Sequence, residues 1–144
     1  GVLIGTSKTA WAGANDRINL AVVGIRGRGK SHLSAWHGIR DVEVVALCDI
    51  DERLFEPRVE EYFTKRRKDA PKTFVDYREL LEDPDIDAVS LATPNHWHAL
   101  GGIWACQAGK HAYIEKPCSH NVFEGRKLAE IFDSAARVFR APGG

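Results

Sequence analysis

Three stretches of this 144-residue chain hold residues whose types and spacing can do chemistry. The first runs Val22, Val23, Gly24, Ile25, Arg26, Gly27, Arg28, Gly29, directly after an apolar segment. Glycines let a backbone turn tightly and approach a ligand with no Cβ in the way. If a helix begins at Arg28, its unpaired N–H groups and its dipole favour a phosphate at that point. Gly24, Arg26, Gly27, Arg28 and Gly29 are therefore candidates to approach a pyrophosphate. The spacing departs from G-x-G-x-x-G, because Arg26 stands where the second glycine would be, while the last glycine is in register. The plain alternative is a strand-to-helix turn.

The second stretch ends at Asp49, 20 residues beyond Gly29, where a Val-rich apolar run stops. A carboxylate there can accept hydrogen bonds from an adenosine ribose and repel a 2′-phosphate. That favours NAD over NADP as cofactor, although Arg53 and the loop arginines keep NADP open. Asp49 could instead cap a helix starting at 51. The third stretch is a pair of segments, Thr93-Pro94-Asn95-His96-Trp97-His98 and Glu115-Lys116-Pro117. Pro117 restricts Lys116 to extended conformations and so fixes where the lysine points. A lysine beside a nicotinamide can orient a substrate hydroxyl or help move its proton.

These segments need a scaffold that brings them together. Residues 18–24 read as a buried strand and 28–39 as a helix; 42–49 is a second strand. Residues 51–70 are helical, with a kink or late start at Pro57. A short strand over 72–76 leads into a helix through Leu81 with the capping-box shape Asp76…Glu79. Residues 87–93 form a fourth strand, 96–109 a helix closed by Gly109, and 111–116 a fifth strand. A last helix follows, with Asn121 as its start and Leu128, Ile131, Phe132, Ala135 and Phe139 at helical spacing. Strand and helix alternate five times over short connections, so the fold class is α/β: a doubly wound parallel sheet of about five strands. Ligands in such sheets sit outside the carboxyl ends of the strands, which places Thr93, Pro94, Asn95, His98, Glu115 and Lys116 around one crevice. His96–His98 could instead simply begin a helix with Trp97 in the core. His32, His37, His111 and His120 read as surface or helix-end residues, and Trp36 and Trp104 as helix-to-sheet packing.

Bulk properties narrow the field. Apolar residues make up 44% and charged residues 28%, ordinary for a globular protein, and the formal net charge is zero. This argues against a general nucleic-acid binder. The one dense basic run, Lys65-Arg66-Arg67-Lys68, reads as the solvated end of a helix. No apolar run reaches membrane-spanning length. Three cysteines without a CxxC pair argue against a disulfide scaffold or a metal site, and Cys48 and Cys106 read as core thiols. Residues 1–16 read either as an extension or as the remnant of an export signal, with Ala10-Trp11-Ala12 shaped like a cleavage site.

The glycine loop, Asp49, residues 93–98 (TPNHWH) and residues 108–117 (AGKHAYIEKP) resemble the N-terminal, NAD(P)-binding Rossmann domain of the glucose–fructose oxidoreductase, inositol dehydrogenase and rhizopine-catabolism (Gfo/Idh/MocA) family. The resemblance covers about residues 17 to 138. It implies that Lys116 is the active-site lysine and that Glu115 helps hold the nicotinamide end. It further implies that Thr93, Pro94, Asn95 and His98 line the cofactor crevice, Asp49 holds the adenosine ribose, and the glycine loop meets the pyrophosphate. Glu115 could also be only the partner of a nearby arginine. The implied activity is hydride transfer between NAD(P) and a sugar or polyol hydroxyl. The loop and the HWH triplet are similar to a branch that carries twin-arginine export signals, which implies a periplasmic or exported protein, cytoplasmic otherwise. The same branch contains NAD-dependent glycosidases that oxidise the sugar transiently, and a non-catalytic dinucleotide-binding module is a third reading. Family members carry a second, mostly β domain that supplies the dimer sheet and most of the substrate pocket. No such segment follows residue 138, so the sequence predicts a truncated chain over 17–144 that is inactive alone.

Overall fold

The computed structural model describes residues 2–4, 17–115, 126–127 and 129–130. Six strands form one sheet: β1 (Val2–Ile4), β2 (Ile18–Val23), β3 (Val42–Cys48), β4 (Lys72–Phe74), β5 (Ala88–Leu91) and β6 (His111–Ile114). Their spatial order is β1-β6-β5-β2-β3-β4. β2 through β6 are parallel to their neighbours, as the alternation of strands and helices requires. β1 joins the edge antiparallel, with Val2 opposite Ile114, so a sixth strand comes from residues read as an extension or signal remnant. Three apolar residues fit a short edge strand as well as the tail of a signal, and spacing does not separate the two. The chain winds outward from β2 to β3 and β4, then returns to place β5 on the other side of β2. The topological switch point therefore lies between the ends of β2 and β5.

The helices are α1 (Arg28–His37), α2 (Phe55–Val59), α3 (Tyr77–Glu82) and α4 (His98–Gln107). A 3₁₀ turn, Glu52–Leu54, precedes α2 and a π-helical stretch, Glu60–Thr64, follows it. Pro57 thus stands in the first turn of α2, where its missing N–H has no partner to lose, so the late start is what occurs. The helix does not run to residue 70. The basic run leaves it in a turn, with Arg67 at φ +54° and the Arg66 guanidinium 5.1 Å over the Tyr62 ring. Asp76 caps α3 by accepting from the Arg78 N–H at 2.8 Å. Gly109 closes α4 at φ +76°, as the sequence predicts. The last helix lies mostly outside the described residues; 126–127 and 129–130 are helical.

Each face of the sheet has its own core. Ala21, Val23, Val89 and Leu91 point to the face covered by α3 and α4, which bring Leu80, Leu81, Ala105 and Cys106. Leu20, Val22 and Ala88 point to the other, covered by α1 with Leu33 and by Tyr62 and Phe63. A register shift after Leu20 inserts one extra residue in β3, which is why Val44 and Leu47 share a face although three apart. Burial pushes the Cys48 and Cys106 thiols up to about 12 and 11, as expected of core cysteines.

Candidate functional site

The glycine loop joins β2 to α1 at the switch point, and each glycine has its own task. Gly24 sits at φ +83°, and a Cβ there would lie 2.9 Å from the Ala92 carbonyl carbon and 3.0 Å from the Thr93 nitrogen. Close approach of β2 and β5 demands the glycine. A Cβ on Gly29 would run into the Gly24 carbonyl oxygen, so Gly29 lets α1 pack down on the strand end. Gly27 differs: a Cβ there would meet nothing within 4 Å. It stands at the start of α1, where no side chain caps the helix and no acidic residue occupies the first turn. Open backbone N–H groups at an uncapped ten-residue helix form the kind of cradle that takes a phosphate.

The loop is braced from below. Asp49 Oδ2 accepts from the Ile25 N–H and Oδ1 from the Asp51 N–H, both at 2.9 Å. Arg58 donates from Nε to the Ile25 carbonyl at 2.7 Å and from Nη2 to the Arg26 carbonyl at 3.0 Å. Asp49 thus ends β3 beside the loop, with one lone pair of each oxygen engaged and the others open to a ligand. Arg26 turns to Asp51, Nη2 to Oδ2 at 2.7 Å.

Across the crevice, β5 delivers Ala92, Thr93 and Pro94. The Thr93 hydroxyl oxygen is buried and has no hydrogen-bond partner among the described residues. A buried hydroxyl left unpaired is costly, and at a ligand crevice it marks a group awaiting a partner. Pro94 and Asn95 are exposed at the rim. His98 behaves otherwise than expected for a crevice-lining side chain. Its ring is 1% exposed beneath the crevice, and Nε2–H donates to the Thr93 carbonyl at 2.8 Å. It fixes the loop that carries Thr93. Trp97, expected in the core if this segment merely begins a helix, is half exposed at the mouth. A cleft of about 580 Å³ runs from Gly24 and Asp49 between α3 and α4, walled by Val75, Tyr77, Leu100 and Trp104. Tyr77 and Trp104 stack with centroids 6.4 Å apart, and the Tyr77 hydroxyl donates to the Gly101 carbonyl. Such an apolar slot beside a carboxylate suits a flat heteroaromatic base next to a ribose.

At the end of β6, Glu115 anchors a buried polar chain. Trp36 Nε1–H donates to Ser90 Oγ at 2.8 Å, and Ser90 Oγ meets His32 Nδ1 at 2.7 Å. His32 Nε2 meets Glu115 Oε1 at 3.0 Å, and Arg28 Nη2 reaches the same oxygen at 3.3 Å. Only one proton arrangement satisfies every member: the serine hydroxyl donates to Nδ1, and a neutral imidazole donates from Nε2 to an ionised carboxylate. Burial holds the His32 pKa below its ordinary value, against the pull of Glu115. Burial raises Glu115, but the bond from His32 and the Arg28 charge outweigh it and leave its pKa low. Both directions agree with that arrangement.

The structure therefore gathers Gly24, Arg26, Gly27, Arg28, Gly29, Asp49, Thr93, Pro94, Asn95 and Glu115 at the carboxyl ends of the strands. Lys116, the candidate catalytic residue, and Pro117 lie outside the described residues. His32 and His111 are corrections: both are buried, at 4% and 0% exposure, rather than at the surface. The signal for His32 was Ser90, a polar residue in the middle of an apolar strand, which had to find partners. Arg58, braced against the loop from 33 residues away, had no signal at all.

Comparison with known proteins agrees with this geometry. The family model GFO_IDH_MocA, "Oxidoreductase family, NAD-binding Rossmann fold", matches residues 18–141. An α-N-acetylgalactosaminidase of Shewanella oneidensis is 33% identical over 125 residues, 84% of this chain and 26% of that protein. The scyllo-inositol dehydrogenase of Lactobacillus casei, solved with NAD(H) and scyllo-inositol, superposes with a TM-score of 0.76 at 22% identity, covering 85% of this chain and 35% of that one. Biliverdin reductase of Synechocystis, solved with biliverdin and NADP+, superposes with a TM-score of 0.72 at 23% identity, over 83% and 35%. The chain spans about a quarter of the length of the sequence relatives it matches.

Proposed function

The chain belongs to the Gfo/Idh/MocA oxidoreductase family, and on that premise we propose that it is the nicotinamide-dinucleotide-binding part of an enzyme acting on a sugar or polyol hydroxyl. One observation carries the reading. α1 opens without a cap at Gly27, the one loop glycine whose missing Cβ relieves no internal contact. The buried, unpartnered Thr93 hydroxyl faces the same crevice. These are the groups a pyrophosphate and its flanking ribose would satisfy. The cofactor supplies the hydride acceptor or donor.

The chain's own residues do the rest. The loop N–H groups and the start of α1 hold the pyrophosphate, with Arg28 adding charge at the first turn and Arg26, held by Asp51, flanking the loop. Asp49 takes the adenosine ribose, which favours NAD over NADP, and the Tyr77–Trp104 cleft takes the base. Thr93, Pro94 and Asn95 close the opposite wall, with His98 holding Thr93 in place. Glu115, kept ionised by His32 and Arg28, marks the nicotinamide end. Lys116, next in sequence, is the residue to orient the substrate hydroxyl and move its proton. A second reading has one observation in its favour, the 33% identity to a protein named as an α-N-acetylgalactosaminidase. On that reading the same site oxidises a sugar transiently, and glycosidic cleavage replaces net redox change.

The test is titration of the purified chain with NADH, followed by nicotinamide fluorescence. Saturable binding that is lost in Asp49→Ala and kept in Lys110→Ala, at the amino ends of the strands, is the expected result. A folded chain that gives no saturable signal overturns the cofactor reading. Net NADH formation from a sugar by the full-length enzyme would exclude the glycosidase reading.

A further inference from the structure

Asp51 holds two of the cations beside the glycine loop. Its Oδ2 accepts from Arg26 Nη2 at 2.7 Å and from Arg53 Nη2 at 2.9 Å. Its Oδ1 accepts from Arg53 Nε at 2.8 Å and from the Arg53 backbone N–H at 3.2 Å. The two arginine side chains are otherwise in solvent, 71% and 87% exposed. Together with Asp49 these groups line a hollow of about 560 Å³ between the loop and Pro94. Two guanidinium groups and two carboxylates leave it without net charge. The hollow opens beside Asp49, where the reading above places the adenosine ribose.

We propose that Asp51 is a specificity-determining residue: by engaging Arg26 and Arg53 it admits a ribose 2′-hydroxyl and turns away a ribose 2′-phosphate. This rests on the cofactor reading above and deepens it. A 2′-hydroxyl needs an acceptor, and Asp49 has one lone pair free on each oxygen. A 2′-phosphate dianion needs donors, and bidentate guanidinium groups are the strongest donors available. Here those donors are already spent on a carboxylate that the phosphate would also have to face. Asp49 alone repels the phosphate, but two unclaimed arginines would outweigh it. The Arg53 side-chain bond, aided by the Arg26 charge, holds the Asp51 carboxyl down to about 2, which favours the ionised carboxylate that the two guanidinium groups engage.

The experiment titrates the chain and its Asp51→Ala and Asp51→Asn variants with NADH and with NADPH, by nicotinamide fluorescence at low and high salt. Asp51→Asn keeps an oxygen to cap the Glu52–Leu54 turn, so it stays folded even if the alanine variant does not. The expected result is a ratio of NADPH to NADH affinity that rises at least about tenfold in Asp51→Ala and by less in Asp51→Asn. The gain shrinks at about 0.5 M salt, because exposed charges are screened. Adding Arg53→Ala to Asp51→Ala reverses it. An unchanged ratio in both variants, with NADH binding intact, overturns the role of Asp51 and leaves the cofactor reading standing. Folded proteins that bind neither dinucleotide overturn both.

Discussion

The two ends of the sheet are built from similar residues and put to opposite use. At the amino ends of the strands, most polar groups satisfy one another, the buried His37 Nε2 being an exception among the described residues. The buried Lys110 ammonium donates to the Asp83 and Ile86 carbonyls at 2.7 and 2.6 Å. Lys72 bridges Asp83 and Asp85, and Asp87 accepts from the Asn19 N–H at 2.9 Å. At the carboxyl ends the accounting is left open: an uncapped helix, a glycine with empty space around it, a buried hydroxyl with no partner. The uncapped start of α1 and the Thr93 hydroxyl converge with Asp49 on one hollow, and it is that convergence that points to a ligand. The contrast teaches where stability is kept and where binding is prepared.

Substitutions at the two ends should therefore separate the two properties. The largest effect is expected for Gly29→Ala, whose Cβ would strike the Gly24 carbonyl and push α1 off the strand end. NADH affinity should fall at least about a hundredfold, and overpacking should cost about 1–3 kcal/mol of stability, read by fluorescence titration and urea unfolding. Lys110→Ala comes next and divides the other way. It leaves the Asp83 and Ile86 carbonyls without the ammonium and should destabilise the fold by about 3 kcal/mol, while NADH affinity at a temperature where the protein stays folded changes by less than about twofold. The smallest effect sharpens the contrast most. Thr93→Val removes a hydroxyl that has no partner, so stability should hold or rise slightly, yet NADH affinity should fall by about threefold to tenfold. Equal loss of stability and affinity in all three variants would erase the distinction between the two ends.

The architecture was legible because it rests on local signals. Apolar runs ending at Gly24, Asp49 and Thr93, each followed by helical spacing, dictate parallel strands whose ends meet, whereas the antiparallel edge strand β1 had no signal of its own. The crevice residues were legible for the same reason. What spacing does not carry is which side chain turns to which. Asp49 was expected at a ribose and is also the brace under Ile25. His98 was expected on the crevice wall and instead holds the Thr93 carbonyl from inside. His32 looked like one more polar residue on a helix, but the turn of α1 that carries it faces Ser90 and Glu115. The register shift in β3 and the π-helical turn after α2 are settled by tertiary packing, which the sequence of either segment alone does not reveal.

The central claim is that the open polar groups at the carboxyl ends await a dinucleotide. Amide hydrogen exchange of the chain with and without saturating NADH tests it most directly. Added protection is expected over residues 24–29 and 92–94, and none over 83–87 and 110–111. Protection spread evenly over both ends, or confined to the amino ends, would contradict it.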